Sequence, residues 1–190
     1  MLIHFWEKFP KLYDLIQIVA TGGYMNKVSK ELKFMNQKSV MDIGCGTGTL
    51  VEYLELKDYL GVDLNPDFIA LAKKKYPQYD FKVLNIVTQK FPKRKFKFLF
   101  MMNVLHHLTD EQINKVFKSI KKFGGFDEFV IVESRPRNFF GRVLGKFDAG
   151  SNFRKYDYLK SLINKSFRIK SSKIITAPIG TYEYLVARCK

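Results

Sequence analysis

Cysteine is nearly missing from this chain of 190 residues: Cys45 and Cys189 are its only two. That excludes a disulfide framework, and no paired Cys-x-x-Cys or other ligand cluster offers a metal site, so no metal is expected. A reducing compartment, the cytoplasm, follows as the expected location. Long apolar runs are missing too, which excludes a transmembrane helix. The opening residues, Met1 to Pro10, place the charged pair Glu7 and Lys8 where a secretory peptide would carry its apolar core. No internal repeat or linker divides the chain, and its length suits one domain.

Acidic residues are the other shortage, 18 against 33 lysines and arginines, for a formal net charge of +15. Such a surplus suits nucleic acid, an anionic membrane face or an acidic small molecule as partner, but it equally suits a solvated face, as in the run Lys73 to Lys75. What the chain has in quantity is apolar material: 46% hydrophobic and 15% aromatic residues, which excludes a disordered chain.

Periodicity organises that material. Apolar residues at helical spacing between Lys11 and Phe34, interrupted at Gly22-Gly23, predict two short helices. Strands are then predicted at Ser39–Ile43, Tyr59–Asp63, Asp80–Leu84, Phe96–Met102 and Phe126–Glu133, with helices at Thr49–Leu56, Pro66–Lys75 and Asp110–Phe123. Strand followed by helix, repeated, predicts a parallel sheet. Thr109 and Gln112 carry the spacing of a capping box at the start of the last of these helices. From Ser134 to Asn152 no period survives, and a long irregular insertion in a compact domain is usually functional. A helix at Tyr156–Asn164 and two strands, Ile169–Thr176 and Thr181–Arg188, complete the pattern; their short joint through Pro178 and Gly180 predicts a hairpin whose last strand runs antiparallel.

The decisive stretch is Val40-Met-Asp-Ile-Gly-Cys-Gly-Thr-Gly48, an apolar strand entering a glycine-rich turn before a helix. Its glycines let the backbone approach a ligand, and Asp63, ending the next strand, is placed to accept ribose hydroxyls. The spacing departs from the dinucleotide fingerprint, with Thr49 where a third glycine belongs, which disfavours NAD and an oxidoreductase. Asp42, just before the turn, would repel a pyrophosphate and suits a cationic ligand.

These residues, with the segment Phe98-Leu-Phe-Met-Met-Asn-Val-Leu-His-His-Leu108, resemble the class I S-adenosylmethionine-dependent methyltransferases over roughly Lys38 to Lys190. The resemblance implies an α/β fold, a Rossmann-like three-layer sandwich with a seven-stranded, mostly parallel sheet and an antiparallel last strand. It implies that Asp42, Gly44, Cys45, Gly46 and Gly48 line the methionine end of S-adenosylmethionine, that Asp63 binds the ribose with Leu64 near the adenine, and that Asn103 and Val104 border the donor. Asn85, followed by Ile86, stands where the family often has an aspartate near the adenine amino group; an amide can still hydrogen-bond adenine in the right orientation. The product would be S-adenosylhomocysteine.

Methyl transfer from a sulfonium needs alignment in a dry site more than it needs a catalytic side chain. A hydroxyl or protonated amine acceptor adds the need for a base, and His106 and His107 are the candidates; alternatively one packs inward as scaffold and the other faces water. The resemblance implies an acceptor pocket covered by a helical lid (residues 1–36) and an insertion (134–155) on a donor-binding domain (37–190), all one unit. Tyr13, Tyr24, Arg135, Phe139, Phe140, Arg154 and Tyr156 are its acceptor-side candidates, although aromatics there also close cores. The resulting expectation is a methyltransferase of a small-molecule or lipid-like acceptor. RNA as acceptor is the alternative, followed by a non-catalytic binding protein, and the basic surface admits peripheral contact with an anionic membrane.

Overall fold

The computed structural model describes residues 23–139, 142, 152–177 and 182–190. Its frame is a seven-stranded sheet: β1 (Ser39–Ile43), β2 (Asp58–Asp63), β3 (Asp80–Val83), β4 (Phe96–Met102), β5 (Phe126–Pro136), β6 (Ile169–Thr176) and β7 (Tyr182–Cys189). The strand order is β3-β2-β1-β4-β5-β7-β6. The first five strands pair in parallel, and β7 pairs antiparallel with both β5 and β6.

Side chains alternate across this sheet, and each face has its own core. Val40, Phe98, Phe100, Val130, Val132 and Val186 bury one face beneath α1 (Met25–Leu32), α2 (Thr49–Tyr53) and α3 (Pro66–Lys75). Met41, Leu99, Met101, Ile131, Leu185 and Ala187 bury the other beneath α4 (Asp110–Phe123) and α5 (Tyr156–Asn164). The three-layer α/β sandwich is therefore a consequence of apolar residues on both parities of the central strands. Met25, Val28 and Leu32 of α1 are fully part of this core. Among the described residues no helix is long and apolar enough to cross a membrane, and no group of His, Cys, Asp or Glu could hold a metal ion.

Several boundaries differ from the pattern reading. The helix after the glycine turn ends at Tyr53, not Leu56, because Leu54 is extended and Leu54 and Leu56 both point into the core, a two-residue spacing that a helix cannot provide. Strand β3 stops at Val83, and Leu84 keeps one bond, its amide donating to Asp63 O at 2.8 Å. Strand β5 continues through Ser134, Arg135 and Pro136, paired with Tyr184, Glu183 and Tyr182, so the irregular insertion starts after Pro136 and not at 134. A proline fits there because β4 has already ended, at the pair Met102↔Val132. Strand β7 lies one residue later than expected. Of the two N-terminal helices only α1 falls within the described residues.

Helix α4 shows how local chemistry sets an element. Thr109 Oγ1 accepts from Gln112 N at 3.3 Å while Gln112 Oε1 accepts from Thr109 N at 2.8 Å, and Gly124 closes the helix in the left-handed conformation. Removing the cap hydroxyl with Thr109→Ala should cost about 1 kcal/mol in urea denaturation, and Thr109→Ser should restore most of it. Equal stability of all three proteins would show that the cap contributes nothing.

Candidate functional site

Where β1 ends, the backbone bends over the end of β2 and is fastened there. Gly44 N and Cys45 N donate to Val62 O at 2.7 and 3.1 Å, and Gly46 N donates to Asp63 Oδ2 at 2.9 Å. Asp63 Oδ1 accepts from Asn65 N, also at 2.9 Å. Gly44 and Gly46 both have positive φ, +72° and +54°, but for different reasons. A Cβ on Gly44 would overlap the Val104 side chain, whereas a Cβ on Gly46 would meet nothing within 4 Å. The open space above Gly46 is where a ligand can lie against the backbone.

Asp42 and Asp63 give this crevice its electrostatics. Asp42 is 2% exposed and accepts a 2.8 Å hydrogen bond from Tyr59 Oη, whose strand register places it on the same face of the sheet. Burial raises the Asp42 pKa to about 7, against the lowering effect of that hydrogen bond and with added repulsion from Asp63. Burial raises Asp63 as well, opposed by the amides of Asn65, Gly46 and Leu64 and by His107. Cys45 is buried beside the two carboxylates, and burial first, then their charge, pushes its thiol far up, so it is no nucleophile. Gly48, at φ +89°, starts α2 in the left-handed region.

The opposite end of the crevice is more open. Leu64 is 65% exposed. Asn85 Oδ1 accepts from Val87 N at 3.0 Å, which leaves Nδ2 as the donor end of the amide. Ile86 packs against the α4 and α5 side of the core.

The second wall of the crevice is the segment after β4. Asn103 has φ +55°, its Nδ2 donates to Tyr24 Oη at 3.4 Å, and its Oδ1 is buried with no hydrogen-bond partner in the structure. A short 3₁₀ turn, Leu105–His107, follows. Glu133, near the end of β5, holds it from below: Oε2 accepts from Leu105 N at 2.9 Å and Oε1 meets His106 Nδ1. His106 is 2% exposed and stacks on Phe153, with ring centroids 4.8 Å apart. His107 is exposed on the same turn. The two candidate histidines are thus separated into an internal residue and an exposed one.

Comparison with known proteins agrees with this geometry. A methyltransferase-domain family profile matches residues 40–123. A demethylmenaquinone methyltransferase of Chlorobaculum tepidum is 29% identical over 185 residues, covering 84% of this chain and 75% of that protein. A putative methyltransferase of Invertebrate iridescent virus 6 is 37% identical over 68 residues, covering 34% of this chain; the chain spans only 26% of that relative's length. The fold matches the N-methyltransferase NodS of Bradyrhizobium japonicum, solved with S-adenosylhomocysteine, at a TM-score of 0.69 and 14% identity, covering 88% of this chain and 87% of that one. The similarity is thus to methyltransferases along most of the chain, with the family profile confined to residues 40–123 and the fold shared with a solved N-methyltransferase.

The crevice residues fit S-adenosylmethionine on three observations of their own: the open side of Gly46, the orphaned acceptor Asn103 Oδ1, and two carboxylates that can face a cation. On the acceptor side the picture is mixed. Tyr24 stacks on Tyr184 at 4.3 Å with rings parallel to within 2°, and Phe139 is 71% exposed. Arg135 and Arg137 both pair with Glu183, and Arg135 lies over the Tyr156 ring. Arg154 and Tyr156, expected at the acceptor, are placed inward. Arg154 donates to Asp110 and to the carbonyls of Leu105, Leu108 and Asn152, which locks the post-β4 turn from above. Tyr156 Oη donates to Glu183 O at 2.6 Å from within the core. Tyr13 and Phe140 lie outside the described residues. Sequence reading overlooked Glu133 and Tyr59; the available signal for Glu133 was a carboxylate closing an apolar strand, the pattern already shown by Asp63.

Because burial lifts Asp42 above its unfolded value, its contribution to stability is complete below about pH 4 and is lost as pH rises through about 7. Asp42→Asn should therefore melt higher than the parent protein at about pH 8, with the gap closing toward about pH 5. Affinity for S-adenosylhomocysteine, which keeps the ammonium, should rise about tenfold from pH 6 to pH 8 in the parent and stay flat in the variant, by calorimetry. A parent affinity that is level across this range would remove ionised Asp42 from donor binding.

Proposed function

We propose that the chain transfers a methyl group from S-adenosylmethionine to a small-molecule or lipid-like acceptor. The observation that carries this reading is the partly buried Tyr24 ring beside the crevice, backed by the buried Tyr184 and joined through its Oη to Asn103 and to Met102 Sδ. An aromatic residue so placed suits a flat or apolar acceptor with a single polar handle. The similarity to a demethylmenaquinone methyltransferase along most of the chain supports the same class.

Bound S-adenosylmethionine supplies a methyl group on a sulfonium, an electrophile that asks no acid of the protein. The work of the chain is to position: the Gly44–Gly46 backbone and Asn103 Oδ1 hold the amino-acid end, Asp63 the ribose, and Leu64 and Asn85 the base. Glu133 and Arg154 keep the post-β4 turn from shifting. For a hydroxyl acceptor, His107 is the residue to take up the proton, since it is exposed and reaches water, while His106 serves as scaffold. RNA is the weaker acceptor reading, because Arg135 and Arg137 beside the crevice are engaged by Glu183. A non-catalytic role would leave the open face of Gly46 and the orphaned Asn103 oxygen without use. Two buried free thiols accord with a cytoplasmic location.

Methyl-labelled donor incubated with fractionated extract should label an organic-extractable or small-metabolite fraction. Label confined to RNA or protein, or none at all, would overturn the reading. With the acceptor in hand, His107→Gln should lower kcat about 100-fold near neutral pH and recover as pH rises, whereas a loss of the same size at every pH would assign His107 to structure.

A further inference from the structure

Every strand of the sheet meets one edge beside a lysine or arginine, and it is the edge opposite the crevice. Lys38, Lys57 and Lys95 immediately precede β1, β2 and β4, and Arg168 precedes β6. The last turns of α3 and α4, which lead into β3 and β5, carry Lys73–Lys75 and Lys121–Lys122, and antiparallel β7 brings Arg188 and Lys190 to the same edge. Most of the acids here are engaged: Asp58 and Asp80 share Arg94, Asp127 pairs with Lys97, Glu128 pairs with Arg188 and Lys170, and Glu55 accepts a hydrogen bond from Gln37. Lys38, Lys57, Lys95, Lys121, Lys122 and Lys190 have no carboxylate partner among the described residues.

The same edge carries a groove of about 660 Å³ lined by Lys97, Lys121, Lys170 and Lys190 together with Asp127 and Glu128, over the half-buried Phe126 and the buried Phe167; Lys97 and Lys170 pair with those carboxylates, and Lys121 and Lys190 have no ion pair among the described residues. Partly buried rings continue beside it: Phe91 stacks on Phe123 at 5.2 Å, and Phe123 on Phe126 at 6.2 Å. Ammonium groups without a carboxylate partner, set beside partly exposed aromatic rings, are what a flexible phosphate backbone with unstacked bases needs. A flat anionic membrane would also answer the charge. However, among the described residues none of the large hydrophobic side chains that stand well exposed, such as Leu64 and Phe139, lies at this edge to enter a bilayer, and docking there would turn the crevice away from the membrane.

We propose that this lysine-rich edge, at the strand ends remote from the donor crevice, binds single-stranded nucleic acid, so that the protein carries a polyanion site separate from its methyl-transfer site. About four phosphates engaged predict a slope near −3 in log affinity against log salt.

The test is fluorescence anisotropy with a labelled uridine 20-mer RNA, titrated in sodium chloride. The expected result is salt-sensitive binding that the triple variant Lys121→Glu, Lys122→Glu, Lys190→Glu weakens at least tenfold, with its melting temperature and its affinity for S-adenosylhomocysteine unchanged. Three results would each overturn the proposal: RNA affinity indifferent to salt or to the triple variant, RNA displaced by S-adenosylhomocysteine, or stronger binding to phosphatidylserine vesicles than to RNA. Because donor affinity is read separately, failure of this site and failure of the methyltransferase reading are distinguishable.

Discussion

The hydrogen bond from Gly46 N to Asp63 Oδ2 is the constraint on which the crevice rests. It joins the glycine turn after β1 to the carboxylate ending β2, and with the two bonds to Val62 O it leaves the turn little freedom to move. A carboxylate that accepts two backbone amides has its orientation set before any ligand arrives, so binding does not have to bear the cost of ordering it. The glycines follow from this bend. Positive φ is demanded by the path of the chain, and the absence of a side chain at Gly46 leaves the upper surface open.

A second clamp sets the facing wall. Glu133 reaches from β5 to the start of the 3₁₀ turn after β4, and Arg154, far along the chain, caps that turn by binding two of its carbonyls and Asp110. The segment between the clamps is the one that holds Asn103 in the left-handed region, a conformation that asparagine adopts at some cost. Strain of this kind persists only where neighbours fix it. Both clamps bury charge, and both satisfy it: Arg154 through a carboxylate and three carbonyls, Glu133 through an amide and an imidazole.

How far the fold could be read from sequence depends on how local its causes are. All seven strands were legible, the central ones because apolar runs on both parities signal a sheet covered on both faces, and the capping box at Thr109 was legible because its partners lie three residues apart. The glycine turn and Asp63 were legible as a spaced pair. The orientation of His106 was not, since it is decided by Glu133 and Phe153 from other parts of the chain. The same holds for Arg154, whose partner Asp110 is 44 residues away, and for Tyr156, which an aromatic and basic context suggested as a ligand contact but which the core absorbs. Asn85 was visible as a departure from an expected aspartate, but the direction of its amide was settled by Val87 N.

One physical question is why a protein with a net charge of +15 has a crevice suited to a cation. Parallel topology provides the answer. It sends the strand ends that carry Asp42, Asp63 and Glu133 to one edge and the lysine-bearing helix ends and strand starts to the other. Strands of five to seven residues separate the two edges by roughly 15 to 25 Å at about 3.3 Å per residue. That separation exceeds the screening length of about 8 to 10 Å at physiological salt. A ligand in the crevice therefore responds to the carboxylates beneath it and barely to the distant lysines, and one small domain can present surfaces of opposite sign without either cancelling the other.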